Sequence, residues 1–458
     1  MPSRFCGRRQ GTDCRNLPGA HALLRAYRAL MRIAAPGVLF KAEAIVAPDE
    51  IIRYLGTGGY EGKECELAYN ATLMCHLWHA LASENTQLLR TALTALPPTP
   101  ETAVWLNYIR CHDDIGWGLD DEDCAAVGQD GPATRRFCSD FYAGRVPGSY
   151  AEGYRFQVDR RTGEARTSGT AAALAGLQKA LVEANPEAIE AALGRLRLLY
   201  GVLYAMRGAP LLYGGDEIGQ LNHFAYLDDP LKAMDNRWVH RPPMDWQRAA
   251  MRHTPGTVPH RLFATLRQAL RGRARKTLLA PLHGRAEEHV LFTENDRLFV
   301  VERAFEGERL LVVANFAGRP ERLRLGELPA PWQQAGPAGR GGRRRSLLPD
   351  LGRPGAAPVR LPAGWCPRSG GPARPARRAE RMRVPVETFW GETVHRHRHP
   401  RTPSAAGTPG RPTRSTPRTT PVWTAELRGP AGRHLLHASG GSRNAARTWW
   451  PGPKKRTG

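Results

Sequence analysis

The sequence predicts an α/β fold: parallel strands alternating with helices, then a small antiparallel β domain and a basic tail. Three observations predict it. Apolar runs end abruptly in polar clusters, as when Thr102-Ala-Val-Trp-Leu106 leads into Asn107-Tyr-Ile-Arg-Cys-His-Asp-Asp-Ile-Gly-Trp117, and Ala209-Pro-Leu-Leu-Tyr213 into Gly214-Gly-Asp-Glu-Ile-Gly219. Stretches of helical period separate these runs. Beyond about residue 275 the period shortens to that of strands. Buried strands whose C-terminal ends open into polar loops are the pattern of a parallel sheet with its chemistry on one edge.

The elements follow in order. From Ala20 to Ile33 the apolar positions Leu23, Leu24, Tyr27, Leu30 and Met31 repeat at helical spacing, with Arg25, Arg28 and Arg32 outside the stripe. Pro36 and Gly37 end that helix. Val38-Leu-Phe40 reads as a strand delivering Glu43, and Pro48–Leu55 as a helix with proline in its first turn. Residues 65–69 supply another strand and Ala71–Leu93 one helix. Residues 118–170 read as irregular and aromatic, Pro186–Arg207 and Leu262–Arg271 as helices. Strands near 289–293, 298–302 and 310–316 form an antiparallel sheet ending near Pro362. Residues 364–458 are Arg-, Pro-, Gly- and Thr-rich; so little apolar surface cannot offset chain entropy, so disorder is expected there.

Charge narrows the function. The formal net charge is +23, but residues 364–458 hold 19 basic against 4 acidic groups, and residues 1–333 hold 41 against 38. The basicity belongs to the tail, so a specific nucleic-acid partner is not expected; binding through the tail alone would be salt-dependent and vanish on its deletion. No run approaches a membrane helix and no signal-peptide core is evident, so a cytoplasmic protein is expected. The eight cysteines form no CxxC pair and Cys111-His112 has no further cluster, so no metal and no cofactor are expected. His395-Arg-His-Arg-His399 lacks flanking structure for a metal site.

Four segments resemble amylosucrases, of the α-amylase superfamily (glycoside hydrolase family 13): Leu39-Phe-Lys-Ala-Glu-Ala-Ile-Val46, Asn107–Trp117, Leu211–Gly219 and Asp235-Asn-Arg-Trp-Val-His-Arg-Pro242. Asn16–Arg25 and Thr167–Ala173 fit as well, so the resemblance spans about residues 10–330. It implies the C-terminal half of a (β/α)8 barrel. Residues 11–275 would be strands four or five to eight with an insertion at 118–170, residues 276–363 a β-sheet domain, and residues 364–458 the tail. It implies transfer of glucosyl from sucrose to an α-1,4-glucan with release of fructose. Glu43 matches the general acid/base, Asp113 the carboxylate that favours the oxocarbenium-like transition state, and His112 a donor to the same ring. Arg237 matches the arginine closing the pocket floor by an ion pair, Asp114 the acceptor side, and Asp216-Glu217 a structural loop. An apolar wall and a nearby anion are expected to keep Glu43 protonated. A sucrose hydrolase or isomerase of the same superfamily is the alternative.

The resemblance begins just downstream of the Arg-x-Asp-Ala-Val-Ala-Phe-x-Trp-Lys stretch carrying the family's nucleophile, and no such stretch occurs here. Codons that can encode Met1-Pro-Ser-Arg-Phe-Cys-Gly-Arg8 also read, in another frame, as Ala-Val-Ala-Phe-Leu-Trp-Lys, with the family frame resuming at Arg9-Gln-Gly-Thr12. The expectation is an N-terminally truncated copy with an out-of-frame start over residues 1–10, inactive alone. An open parallel edge and an unpartnered Arg237 are the expected costs.

Overall fold

A computed structural model describes residues 10–12, 14–44, 46–274, 286–306, 308–333, 381–384, 389–395, 425–429 and 432–436. The chain falls into two compact units, Met1–His397 and Arg398–Gly458. In the first, α1 (Pro18–Ala34) leads to β1 (Lys41–Ala42) and the short α2 (Pro48–Ile51). Then come β2 (Leu67–Tyr69), α3 (Ala71–Ser83), α4 (Gln87–Thr94) and β3 (Val104–Asn107). Next are α5 (Asp121–Ala126), α6 (Gly131–Tyr142), the hairpin β4 (Tyr154–Phe156) and β5 (Arg166–Ser168), α7 (Ala171–Leu174), α8 (Leu177–Val182) and α9 (Pro186–Ala205). β6 (Ala209–Pro210), α10 (Trp246–Ala250) and α11 (Val258–Ala274) complete the α/β part.

β1, β2, β3 and β6 form one sheet in that order, every pairing parallel. All four C-terminal ends therefore share one edge. Burial falls from the middle outward: β3 is wholly buried, while Lys41 of β1 is exposed and β6 is half-buried. A ladder of buried amides ties the strand ends. Asn70 caps α3 by accepting from Leu73 N–H, its Nδ2 donates to Asn107 Oδ1, and Asn107 Nδ2 donates to the Arg207 carbonyl just before β6.

Several sequence expectations are corrected. The strand drawn at Val38–Phe40 begins at Lys41, because the Glu66 carboxylate takes the Phe40 N–H and the Phe40 carbonyl accepts from both Glu66 and Leu67. The single helix over Ala71–Leu93 is two. Glu84 turns left-handed (φ 52°), and Thr86 bonds the carbonyls of Asp296 and Leu298 in the β domain. Residues 118–170 are only partly irregular: they hold α5 and α6, capped by Asp120 and Asp130, and the β4–β5 hairpin.

The helix α1 packs inside out. Its inward side carries His21, Arg25 and Arg28, the first two bonded to Glu64 and Arg28 paired with Glu66, while Arg32 donates to the Gly62 carbonyl. Its outward face is Ala22, Leu23, Ala26, Tyr27, Ala29, Leu30, Ile33 and Ala34, all exposed and none charged. Two buried glutamates decide this, since their carboxylates need cations more than the core needs the leucines.

The β domain is an antiparallel sheet of β7 (Glu287–Leu291), β8 (Leu298–Phe305), β9 (Glu308–Asn315) and, on the far edge, β12 (Phe389–His395), with the order β12-β9-β8-β7. A two-stranded pair joins β10 (Glu321–Arg324) to β11 (Arg381–Val384), and α12 (Ala330–Gln333) lies between them in sequence. The sheet thus draws strands from beyond residue 363, within the stretch expected to lack structure. Phe389, Trp390, Thr393 and Val394 suit a strand, and β9 supplies the complementary edge. The second unit holds a hairpin of β13 (Ala425–Gly429) and β14 (Gly432–Leu436). The His395–His399 run lies mostly outside the described residues, as do residues 1–9. Among the described residues no helix is long and apolar enough to cross a membrane, and no cluster of three metal-ligating side chains occurs.

Candidate active site

The site is built on the C-terminal edge of the parallel sheet. Glu43 follows β1 by one residue, and His112, Asp113 and Asp114 lie on the loop after β3. His112 Nε2 lies 3.1 Å from Glu43 Oε1, so two strand ends that are not neighbours in the sheet meet at their side chains. Lys41 Nζ stands 3.6 Å from Glu43 Oε2 and donates to the Tyr69 hydroxyl at 2.7 Å. Burial works against the Lys41 charge, but the Tyr69 and Glu43 contacts outweigh it and leave its pKa raised. The partners of Glu43 are thus a cation and an imidazole, on a side chain 38% exposed, in place of the expected apolar wall.

Arg237 is not left unpartnered. Its Nη1 donates to Asp113 Oδ1 at 3.0 Å, and its Nε and Nη2 grip Asp235 two residues earlier. The guanidinium also lies 5.2 Å from the Phe156 ring centre. Arg241 approaches Asp113 from a second side at 3.7 Å. Asp114 turns inward, 5% exposed, with its carboxylate 3.1 Å from Arg166 Nη1.

The adjacent carboxyls are pushed apart electrostatically. Burial opposes ionisation of Asp113, but hydrogen bonds from Asp114 and Arg237 prevail and hold it down at about 2. Burial and the Asp113 charge push Asp114 up to about 6, with Arg166 only partly offsetting them. Asp113, beside Arg237, is therefore the more acidic member of the pair, and Asp114 the more readily protonated one.

Beneath this arc lies a buried brace. Arg110 forms an ion pair with Asp216 at 2.8 Å, both wholly buried; the Tyr200 hydroxyl donates to the other carboxylate oxygen at 2.7 Å, and the Tyr213 ring lies 4.3 Å from the guanidinium. Burial raises the pKa of Asp216 despite both donors. Asp216 thus braces the loops after β3 and β6 and does not face the open edge. Glu217 Oε2 accepts the Gly215 N–H.

The structure therefore brings together Glu43 with His112, and Asp113 with Arg237; Asp114 sits beside them but points to Arg166. Sequence reasoning missed Lys41, Arg166, Asp235 and Arg110. Lys41 was detectable, because it stands two residues before Glu43 and shares its side of an extended segment. Arg166 gave no signal, because only folding carries the β4–β5 hairpin to Asp114.

No protein-family model matches the chain. It is 26% identical over 238 residues to the trehalose synthase/amylase of Mycolicibacterium smegmatis, covering 52% of this chain and 32% of that protein. To the trehalose synthase of Thermus thermophilus it is 27% identical over 337 residues, covering 68% of this chain and 30% of that one. The match thus spans about a third of the length of these relatives. Among solved structures, sucrose 6F-phosphate phosphorylase from Thermoanaerobacter thermosaccharolyticum superposes with a TM-score of 0.47 and 14% identity, over 69% of this chain and 55% of that one. In sequence the chain is thus similar to trehalose synthases, at identities below 30%.

Proposed function

We propose that the chain carries one side of a glucosyl-transfer site of the amylosucrase type, which takes glucosyl from sucrose, releases fructose and passes the sugar to an α-1,4-glucan. The observation that supports it best is the convergence of Glu43 with His112 and of Asp113 with Arg237 on one sheet edge. In this reading Glu43 protonates the leaving oxygen and later takes the acceptor proton. Asp113, held anionic by Arg237, stabilises positive charge at the anomeric carbon. His112 donates to a sugar hydroxyl, and Asp114 with Arg166 borders the acceptor side.

Residues 11–275 are then the barrel portion, with 118–170 its insertion, and the sheet from residue 276 onward the accessory β domain. The 458 residues contain no counterpart of the family's nucleophile stretch. A retaining displacement needs a second carboxylate about 5–5.5 Å from the acid. The chain by itself is therefore proposed to bind sugar without turning it over. A second reading, an isomerase or hydrolase of the same superfamily, is favoured by relatives that bear the name trehalose synthase.

Titrating the purified chain with sucrose and with maltose, while following the Asp113 and His112 resonances, tests the sugar reading. Shifts that disappear in Asp113→Asn are expected, with sucrose the stronger ligand. No response to either sugar sinks it. Preference for maltose moves the assignment to the second reading, and fructose release by the chain alone overturns the half-site reading.

A further inference from the structure

His240 has no part in the chemistry above, yet its ring lies at the junction of three segments. It ends the short helical turn Asn236–His240, which also carries Arg237, and is 1% exposed. Its Nδ1 lies 3.2 Å from the Gly169 backbone N–H, a group that can only donate. That bond fixes the neutral tautomer with the hydrogen on Nε2, which then donates to the His112 carbonyl at 3.2 Å. The same carbonyl receives Arg241 Nε, and the His240 carbonyl receives Arg110 Nη1.

We propose that His240 is a positioning residue for the candidate site: its neutral ring clamps the His112 carbonyl to the turn bearing Arg237, and so sets Asp113 opposite that guanidinium. The logic is geometric. Asp113 and Arg237 are 124 positions apart, on different loops, and their 3.0 Å bond needs the two loops in fixed register. The His240 ring supplies a direct side-chain tie between the Arg237 turn and the residue before Asp113, and its Gly169 bond anchors that tie to the end of β5. The ring stays uncharged because burial, then Arg110 and Arg241, push its pKa down to about 3, against the weaker pull of the His112 carbonyl and Asp113. A charged ring would have to donate from Nδ1 as well, directly into the Gly169 N–H.

The proposal rests on the sugar reading for its consequence and on the Asp113–Arg237 bond for its test. Carbon-detected titration of Asp113 in the full chain reads that bond. The wild-type carboxyl is expected to titrate near its depressed value of about 2. In His240→Ala it should climb by about one pH unit or more toward the ordinary ~3.9 as Arg237 drifts away. In His240→Gln, whose amide can still donate to the His112 carbonyl, it should stay near the wild-type value. Should His240→Ala fail to fold, His240→Asn, whose shorter amide reaches only the Gly169 side, takes its place. Asp113 titrating as in wild type without the ring, or shifting equally in the Ala (or Asn) and Gln variants, overturns the proposal. If wild type binds sucrose, His240→Ala should weaken it by roughly tenfold, the equivalent of about 1.4 kcal/mol. If wild type binds no sugar, the functional reading falls, and the Asp113 titration alone judges His240.

Discussion

Glu43 and His112 are separated by 69 positions and leave from strands that do not touch, yet His112 Nε2 rests 3.1 Å from Glu43 Oε1. The intervening strand β2 contributes Tyr69, whose hydroxyl holds Lys41 on the same side. The arrangement gathers a carboxyl, an imidazole and an ammonium group over a sheet edge, above the buried Arg110–Asp216 brace.

Arg110 and Asp216 are wholly buried, so removing one partner strands the other's charge. Arg110→Ala should lower unfolding stability by about 3–5 kcal/mol. Exchanging both for apolar residues of similar volume should cost much less. Urea denaturation of single and double variants checks it, and a small loss in Arg110→Ala would refute the brace.

The Asp113–Asp114 pair gives opposite signs in one window. Asp113, held at about 2, adds stability that is present above its ordinary value of ~3.9 and is lost as pH falls toward 2. Asp114, raised to about 6, favours the folded state at low pH, and that contribution is lost as pH rises from ~3.9 through 6. Asp114→Asn should therefore flatten the stability profile between those values and leave the acid limb in place. Melting temperatures across this range decide it; an unchanged profile would count against the raised Asp114 value.

His76 and His79 are buried on α3, and burial lowers both to about 4, with the His76 Nδ1–H donating to the Thr72 carbonyl. Folded, they bind fewer protons than in the unfolded chain. Their stability contribution is complete above the ordinary value of ~6.5 and is lost as pH drops toward 4. Replacing His79 by Leu should make the urea midpoint less sensitive to acid over that range. Equal sensitivity in the variant and wild type would show that the loss arises elsewhere.

The uncharged outward face of α1 is a continuous apolar strip on the surface. Strips of this kind promote association. Sedimentation velocity at rising concentration should show growing species for wild type. Leu30→Glu should suppress them while changing stability by no more than about 0.5 kcal/mol, because Leu30 is 59% exposed. Identical sedimentation of the two proteins would remove the strip as the cause.

Much of the frame was legible in order along the chain. Apolar runs followed by acidic loops marked β3 and β6, the sequence marked a helix over Pro186–Arg207 where α9 spans Pro186–Ala205, and strands of the β domain stood out by period. The helix break at Glu84 was not legible, because its cause is a hydrogen bond from Thr86 to a residue 210 positions away. The two helices within residues 118–170 are legible only through their caps, Asp120 and Asp130, because neither helix is long enough to show a strong period.

The sequence by itself determined that Glu43, His112 and Asp113 stand where apolar runs give out, since period and polarity are local properties that each segment carries with it, while Arg237 was marked only by the resemblance of Asp235–Pro242. Only the tertiary structure decided which of them touch, which carboxyl of the Asp113–Asp114 pair is the more acidic, and that α1 turns Arg25 and Arg28 inward. Those outcomes depend on desolvation and on charges brought close from distant positions, and both exist only once the segments have packed.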